Sequence, residues 1–275
     1  MAKSKYTYVR NFEIENRLPP STWLVARIDG QGFTNFTALH GFRKPNDVRA
    51  LDLMNRAAKM VMESMQEIVL GYGQSDEYSF VFSKDAKAYD RRQSKLSTLL
   101  VSRFTSAYVF YWGEFFPDTP LKSLPAFDSR IVMYPSNKIL RDYLCWRQAD
   151  CHINNMYNTC FWALVDKGGL NRKEAEKRLS GTLSKDKHEL LFSEFGINYN
   201  NEAEIFKKGS VLIRDKQHTN VSGPDGQPTK RTSSVVSILH CDIIKDKFWT
   251  QHPEILGGKA ARTEESGDSA GAEGV

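Results

Sequence analysis

The apolar positions in the first half of the chain follow two different periods. Short apolar runs predict a strand that ends at Ile28, a strand that begins at 68–70 and a strand over 78–82. A helix is predicted between the first two, beginning at Asn46 or Asp47, because both residues suit the N-cap position. Its buried face consists of apolar residues at helical spacing, namely Leu51, Met54, Ala58, Val61 and Met65.

A second helix and a fourth strand follow. The helix is predicted from Tyr89 to about Trp112, prolines interrupt the chain at 117–125, and the strand covers 127–133. The order strand, helix, strand, strand, helix, strand is that of a ferredoxin-like unit. The pattern therefore predicts an α+β fold, an antiparallel sheet with helices on one face, in which the first and third strands are central neighbours.

Further elements are predicted on both sides of this unit. They are a helical arm over 1–20, helical segments over 136–166 and 171–194, strands over 209–213 and 235–239, a polar loop over 215–234, and a disordered tail over 257–275. The expected fold is thus a ferredoxin-like unit with additional C-terminal helices and strands.

Composition and charge narrow the class of protein only slightly. Hydrophobic residues make up 40% and charged residues 26% of the chain, as is typical of globular proteins. No apolar run approaches the roughly 20 residues of a membrane span, and residues 1–6 lack the apolar stretch of a secretory signal. A cytoplasmic, or also nuclear, location without a membrane partner is expected. The net charge of +5 suits a polyanionic partner without requiring one.

The four cysteines favour neither a disulfide framework nor a zinc site. Cys145, Cys151, Cys160 and Cys241 include no Cys-x-x-Cys pair. Cys151 is adjacent to His152, but no second pair of ligands accompanies them. Reduced and mostly buried thiols are therefore expected.

Two aspartates occupy the ends of predicted strands. Asp29 directly follows the first strand, and Asp76 lies at or near the tip of the hairpin that joins the second and third strands. Because the first and third strands are neighbours in the predicted sheet, the two carboxylates are expected to lie close together. Such a pair suits two Mg²⁺ ions that assist displacement at a phosphorus atom. Glu77 is expected to point away from Asp76 and to form a salt bridge.

Each of these aspartates also has a structural explanation. The segment Asp29-Gly30-Gln31-Gly32-Phe33 is neither a P-loop nor a dinucleotide fingerprint, and Asp29 could simply cap a turn. Its two glycines would, however, let main-chain groups approach a metal or a phosphate closely. Ser75 and Asp76 could likewise be an ordinary polar hairpin tip.

Other polar residues are likewise either contacts to a ligand or residues without a role in binding. Arg27, Lys44, Arg92 and Lys95 are candidates for contacts to a triphosphate, or are solvated surface cations. His152 and Asn155 are three positions apart and share a helix face. They are either a hydrogen-bonded structural pair or a contact to a nucleotide. Cations and aromatic residues are interleaved over 167–208, a composition that suits RNA or a soluble helix surface.

Four motifs, in this order, resemble one known family. They are Arg-Ile-Asp-Gly at 27–30, Lys-Pro-Asn-Asp at 44–47, Ser-Asp-Glu-Tyr-Ser-Phe at 75–80 and His-Ile-Asn-Asn-Met-Tyr-Asn-Thr at 152–159. Over about 8–256 the sequence resembles the eukaryotic tRNA-His guanylyltransferases. Thr34 departs from the histidine that is usual there in the family.

The resemblance implies a polymerase-type palm that adds a guanosine to the 5′ end of tRNA-His, in the reverse of the usual direction of synthesis. ATP would adenylate the 5′ monophosphate, the 3′-hydroxyl of GTP would displace AMP, and pyrophosphate would then be removed. The family is usually homotetrameric and identifies its tRNA by the anticodon. The implied division is a palm-like catalytic region over 1–135, additions over 136–256 that complete it and contribute to tRNA binding, and the tail over 257–275.

The motifs also imply roles for individual residues. Asp29, Asp76 and the Gly30 carbonyl match ligands of two Mg²⁺ ions. Lys44 matches a lysine of the activation step, and His152 and Asn155 fall in a motif associated with activity. The cradle for nucleotide and triphosphate would consist of Asp29, Gly30, Gln31, Gly32, Phe33, Thr34, Ser75 and Asp76, with Arg27, Arg92 and Lys95 as further contacts.

Two other functions stay open from the sequence. The same palm could serve another nucleotidyl enzyme, such as a cyclase or a polymerase that repairs tRNA 5′ ends. Alternatively, the protein could bind RNA without catalysis, in which case Asp29 and Asp76 would be structural.

Overall fold

The computed structural model describes residues 4–222 and 228–258, with the backbone alone for 216–222 and 228–233. Six strands form one sheet: β1 (Trp23–Gly30), β2 (Ile68–Gln74), β3 (Glu77–Phe82), β4 (Phe127–Tyr134), β5 (Ser210–Ser222) and β6 (Pro228–Leu239). The strands lie in the order β4-β1-β3-β2-β5-β6, and every neighbouring pair is antiparallel. The first four strands therefore have the predicted ferredoxin-like order, with β1 beside β3.

Within the described residues, eight α-helices accompany the sheet: α1 (Phe33–Leu39), α2 (Val48–Ser64), α3 (Gln93–Phe115), α4 (Asn137–Trp162), α5 (Arg172–Leu179), α6 (Ser184–Phe195), α7 (Glu204–Lys208) and α8 (Asp246–Gln251). Short 3₁₀ turns cover Thr7–Phe12, Ala88–Arg91, Tyr199–Asn201 and Pro253–Leu256, and a π-helical turn over Ala163–Lys167 extends α4. None of the helices in the described part of the chain combines the length and apolar character that a membrane crossing requires.

Alternating side chains of β1 supply two hydrophobic cores. Leu24, Ala26 and Ile28 are buried on one face, in the cluster that also contains the inner faces of α2 and α3. Trp23 and Val25 are buried on the other face, in the cluster that contains residues of α4 and α8. The palm helices α2 and α3 thus share one face, as predicted, and the C-terminal additions cover the other.

Helix α4 connects the sheet to the C-terminal helices. Leu140 and Leu144 in its first half belong to the core on the sheet, whereas Met156 and Cys160 in its second half pack in a separate cluster with α5 and α6. The four cysteines are free thiols, as predicted. Burial raises the pKa of Cys160 to about 11, so this thiol stays protonated at neutral pH.

The predicted helical arm at the N-terminus is mostly wrong. Among residues 4–20, only Thr7–Phe12 forms a 3₁₀ turn, and this turn buries no side chain. A short helix is not stable without an apolar face packed against the fold. The tail predicted over 257–275 lies outside the described residues from position 259 onward.

Helix α3 begins four residues later than the predicted start at Tyr89. Tyr89, Asp90 and Arg91 have positive φ angles of 50°, 55° and 55°. The buried Arg91 guanidinium donates hydrogen bonds to main-chain oxygens of Leu18, Thr22, Lys84 and Ala86. These tertiary contacts hold the segment outside the helical conformation that its sequence favours.

The polar loop predicted over 215–234 is also wrong. Backbone pairing of β5 with β6 continues without interruption from Val211–Leu239 to Ser222–Pro228, so most of this segment is a long hairpin. The segment lacks an alternating apolar face, which is the usual sequence signal of a strand. Main-chain hydrogen bonds build its ladder. Residues 223–227 of the predicted loop lie outside the described residues.

Replacing Gly73 by alanine should destabilise the sheet next to the hairpin tip. A Cβ atom on Gly73 would lie 2.1 Å from Cε2 of Tyr78. The Tyr78 ring is buried, and its hydroxyl donates to Oδ1 of Asn55 at 3.0 Å, so the ring cannot move freely. We expect Gly73→Ala to lower the free energy of unfolding by about 1–3 kcal/mol, measured by urea denaturation.

The matched control is Gly113→Ala on α3. Apart from the neighbouring backbone of α3 itself, no described atom lies within 4 Å of a Cβ placed there. Alanine in a helix should raise the free energy of unfolding by about 0.5–1 kcal/mol. Equal stability of the two variants would contradict this description of the packing at Gly73.

Candidate active site

The two predicted carboxylates lie at one edge of the sheet, as the topology requires. Asp29 is the residue of β1 opposite Glu77 of β3, and Asp76 lies in the two-residue turn between β2 and β3. The amide of Gly30 donates to the main-chain oxygen of Asp76 at 3.1 Å, which joins the end of β1 to the hairpin tip. Residues 47 positions apart in sequence are therefore neighbours.

The hairpin tip has a local geometry that presents Asp76. Ser75 has a positive φ of 49°, and its hydroxyl donates to Oδ1 of Asp76 at 3.1 Å. Burial raises the pKa of Asp76, and the negative charge of Asp29 raises it further. The two acidic groups thus repel each other in a partly desolvated place, and a cation would relieve that repulsion.

A cleft of about 650 Å³ lies beside this pair of carboxylates. Predicted site residues that line it are Asp29, Phe33, Thr34, Lys44, Ser75, Asp76 and Asn155. Gln31 and Gly32 instead line a shallower depression of about 210 Å³ next to Leu124. The cleft is therefore lined by five residues of the predicted cradle, namely Asp29, Phe33, Thr34, Ser75 and Asp76. Gln31 and Gly32 lie outside it.

Gly30 and Phe33 fit together closely at the start of the cradle. A Cβ atom on Gly30 would lie 2.4 Å from Cδ2 of Phe33, so only glycine fits beneath that ring. Phe33 is buried and packs against the rings of Phe36 and Phe127, with centroid distances of 5.0 and 4.8 Å. The turn after β1 is therefore fixed by packing.

A second part of the cleft lining, here named the basic wall, consists of two cations, Lys44 and Arg172, around the ring of Trp162. Nζ of Lys44 lies 5.9 Å, and Cζ of Arg172 lies 5.5 Å, from the centroid of Trp162. All three residues line the cleft. Within the described ranges neither cation forms a salt bridge within 4.0 Å, so both can pair with an anion in the cleft.

Asn155 and His152 both contact Tyr199, as their shared helix face predicts. Nδ2 of Asn155 donates to the Tyr199 hydroxyl at 2.9 Å, and Oδ1 of Asn155 accepts from Asn46 at 2.7 Å. The His152 ring lies 5.7 Å from the Tyr199 ring. Burial lowers the pKa of His152, with smaller contributions from His188 and Lys207. Asn155 therefore links the cleft to the C-terminal helices, while His152 faces those helices.

The remaining basic candidates lie elsewhere. Arg92 pairs with Glu15 at 2.7 Å near the N-terminal segment, and Lys95 is exposed on the first turn of α3. The backbone of Arg92 pairs with that of Arg17, in the segment that precedes β1. Neither Arg92 nor Lys95 lines the cleft. Their contact to a triphosphate stays a prediction.

Arg27 lies next to the carboxylates and is already paired. Its Nη2 is 2.5 Å from Glu77 and 3.3 Å from Oδ2 of Asp29. The predicted salt bridge of Glu77 is confirmed. Arg27 therefore acts on Asp29 directly, and its contact to a triphosphate stays a prediction.

Trp162, Arg172 and Asn46 are cleft residues that were not predicted as site residues. Asn46 belongs to the Lys-Pro-Asn-Asp motif at 44–47, so its sequence context indicated a role in the site. Trp162 and Arg172 lie at the ends of α4 and α5, and only the tertiary packing of these helices brings them to the cleft. Trp162 has no comparable signal in the sequence, and Arg172 stands out there only as one of the cations over 167–208.

The donor set at the strand ends fits magnesium. Carboxylate and main-chain oxygens are hard ligands, and Mg²⁺ usually takes one or two carboxylates while phosphate oxygens and water complete its octahedron. Asp29 and Asp76 supply two such carboxylates in the cleft, and Gly30 has a main-chain carbonyl directly after Asp29. In the part of the chain that the structure describes, no group of three or more acidic, histidine or cysteine side chains forms a separate metal site.

A ferredoxin-like sheet with paired carboxylates at its strand ends, above a cleft with a basic wall, defines a palm-type nucleotidyltransferase. The Thg1 family model, described as tRNAHis guanylyltransferase, matches residues 6–135, and the model of the Thg1 C-terminal domain matches residues 138–245. The chain belongs to the tRNAHis guanylyltransferase family.

Individual relatives agree with this assignment. The tRNA(His) guanylyltransferase of Schizosaccharomyces pombe is 54% identical over 255 residues, which cover 92% of this chain and 97% of that protein. The crystal structure of the Saccharomyces cerevisiae enzyme is 51% identical, with a TM-score of 0.73 over 76% of this chain and 93% of that chain. A bacterial tRNA(His) guanylyltransferase-like protein shares the fold.

The bacterial protein has been solved with two nucleotides. Its complex with ATP has a TM-score of 0.68 at 22% identity, covering 90% of this chain and 95% of that chain. Its complex with GTP has a TM-score of 0.64 at 21% identity, with the same coverage.

Proposed function

We propose that this protein adds a guanosine to the 5′ end of tRNA-His, with ATP and GTP as substrates. The proposal rests on one observation, the Asp29–Asp76 pair that lines the cleft, in a chain of the tRNAHis guanylyltransferase family. The reaction comprises adenylation of the tRNA 5′ monophosphate, attack of the GTP 3′-hydroxyl with loss of AMP, and removal of pyrophosphate. The nucleotide complexes of the bacterial fold relative support these two substrates.

Asp29, Asp76 and the Gly30 carbonyl are the residues that would hold two Mg²⁺ ions. When bound, these ions neutralise charge on the reacting phosphates and lower the pKa of the attacking hydroxyl. The fit rests on hard oxygen donors and on the repulsion between the two carboxylates, which raises the pKa of Asp76 in addition to its burial.

The basic wall would bind the phosphates of the substrates. Lys44 and Arg172 both approach Trp162 and face the same cleft as Asp76. Hydrogen bonds between cations and phosphates are stronger than neutral ones, particularly in a partly desolvated cleft. Phosphoryl transfer depends mainly on positioning and charge stabilisation, so a site without a nucleophilic side chain is chemically sufficient.

The experiment that tests this function compares two RNAs. The protein is incubated with ATP, labelled GTP and 5′-monophosphorylated tRNA-His, beside the same tRNA with a swapped anticodon. We expect one labelled guanosine on the first tRNA alone. Equal addition to both tRNAs would favour a general repair polymerase, and a cyclic product without tRNA would favour a cyclase.

A non-catalytic RNA-binding protein, the other function that was open from the sequence, disagrees with the membership of this chain in an enzyme family. It predicts tRNA binding without any labelled product, and no functional loss on replacing Asp29 or Asp76. The homotetramer, recognition of the anticodon and the location in the cytoplasm or nucleus are further parts of the proposal, and each stays a prediction. Sedimentation of the purified protein tests the tetramer.

A further inference from the structure

Arg147, a buried arginine on α4, contacts β3, the strand that directly follows Asp76. Only 4% of the Arg147 side chain is exposed. Its Nη1 donates to both carboxylate oxygens of Glu77, at 3.3 and 3.1 Å, and lies 3.6 Å from Asp150. The guanidinium also stacks on the Trp146 ring at 3.4 Å. Arg147 is therefore held in place from several sides.

Glu77 connects Arg147 to Arg27, and Arg27 in turn contacts Asp29. The carboxylate is also 2.5 Å from Nη2 of Arg27, and that same nitrogen is 3.3 Å from Oδ2 of Asp29. A continuous series of charges, Arg147, Glu77, Arg27 and Asp29, thus runs from α4 to the strand end. It contains two positive and two negative groups, and Asp150 adds a further negative group beside Arg147.

The series is not arranged for stability alone. Nε of Arg27 and Nε of Arg147 are buried without a hydrogen-bond partner in the described structure. Unpaired buried donors are unfavourable, and a buried ion pair is frequently no more stable than an apolar pair of the same shape. The presence of two arginines with buried, unpaired donors is better explained by what they fix, which is the position of Asp29.

We propose that Arg147 is a positioning residue for guanosine transfer: through Glu77 and Arg27 it fixes the orientation and the local charge of Asp29. This inference rests on the proposed function. Without Arg147, Glu77 would keep a single cation, and Arg27 would be drawn towards Glu77 and away from Asp29. Asp29 would then carry more uncompensated charge in a less defined orientation.

The test uses a double-mutant cycle on the full-length protein, with Arg147→Met, Glu77→Gln and both together. We expect Arg147→Met to lower kcat by about 10²-fold, with the KM for GTP changed by less than about threefold, because misplacement of a reacting group by about 1 Å has such an effect. In the Glu77→Gln background the same substitution should change kcat by less than about twofold, since coupled residues are not additive. Arg147→Lys should recover part of the lost rate.

Two measurements without turnover separate positioning from general damage. Mn²⁺ affinity, from electron paramagnetic resonance without nucleotide, should increase in Arg147→Met because one positive charge is removed near Asp29. The double variant should have a higher melting temperature than Arg147→Met, because it removes a buried Glu77 carboxylate that would otherwise keep only one of its two cations. Arg141→Met is the control, since Arg141 on the same helix bonds to the exposed Asp246 and should leave kcat unchanged.

Several results would overturn the inference. They are wild-type kcat in Arg147→Met, full additivity of the two substitutions, and weaker Mn²⁺ binding in a folded Arg147→Met variant. If wild-type protein adds no guanosine to any tRNA, the proposed function fails by itself. The Mn²⁺ and melting measurements still test the coupling of Arg147, Glu77 and Asp29 in that case.

Discussion

Asp76→Asn is expected to lower the rate of guanosine addition by about 10³-fold or more, while tRNA binding changes by less than about threefold. The amide keeps the size of the side chain and its hydrogen bond with Ser75, but it removes the negative charge that a metal site requires. Loss of several kcal/mol of charge stabilisation corresponds to at least this change in rate. Single-turnover assays with labelled GTP, and filter binding of labelled tRNA, provide the two quantities.

A matched control lies on the neighbouring strand. Asp128 of β4 is the register partner of Asp29 on the side away from β3, and 59% of its side chain is exposed. Asp128→Asn removes the same charge at the same end of the sheet and should leave the rate within about twofold, since an exposed charge is screened by solvent. Equal losses in the two variants would show that net charge, and not ligation at Asp76, controls the reaction.

Gly30→Ala is expected to lower kcat by about 10²-fold. The new Cβ atom would meet Cδ2 of Phe33 at 2.4 Å, and Phe33 cannot retreat because Phe36, Tyr108 and Phe127 surround its ring. The end of β1 must therefore shift, and with it Asp29 and the Gly30 carbonyl. A displacement of about 1 Å at a reacting centre has an effect of this size. Steady-state kinetics with saturating tRNA and ATP measures it.

A second substitution separates this steric explanation from others. Phe33→Leu shortens the side chain, so the double variant Gly30→Ala with Phe33→Leu should recover part of the activity that Gly30→Ala loses. A normal kcat in Gly30→Ala, or a double variant that is worse than either single variant, would contradict the proposed role of this packing.

The sequence predicted the arrangement that positions the carboxylates. The change between strand and helix periods gave the order of the first four strands, and this order places Asp29 beside the hairpin that carries Asp76. That inference needed no knowledge of side-chain contacts, because it follows from topology. The cap at Asp47 was predictable for a similar reason, since its side chain accepts a hydrogen bond from the amide of Arg49.

Features that depend on tertiary contacts were not predicted. The late start of α3 results from Arg91 binding distant main-chain oxygens, and the long hairpin of β5 and β6 depends on backbone pairing between polar segments. Likewise, Trp162 and Arg172 reach the cleft only through the packing of their helices. Local sequence patterns carry no information about such long-range contacts.

The central claim is that Asp76 ligates the metal used for guanosine addition. A change of metal preference is the most direct test of it. Thiolate is a poor ligand for Mg²⁺ and a better one for Mn²⁺ or Cd²⁺, so Asp76→Cys should be nearly inactive with Mg²⁺. The measurement is the rate of guanosine addition by Asp76→Cys in Mn²⁺ or Cd²⁺ divided by its rate in Mg²⁺, relative to the same ratio for the wild-type protein. Our account predicts that this relative ratio exceeds about 10, in line with the order of ligand preferences. A relative ratio of one would contradict it.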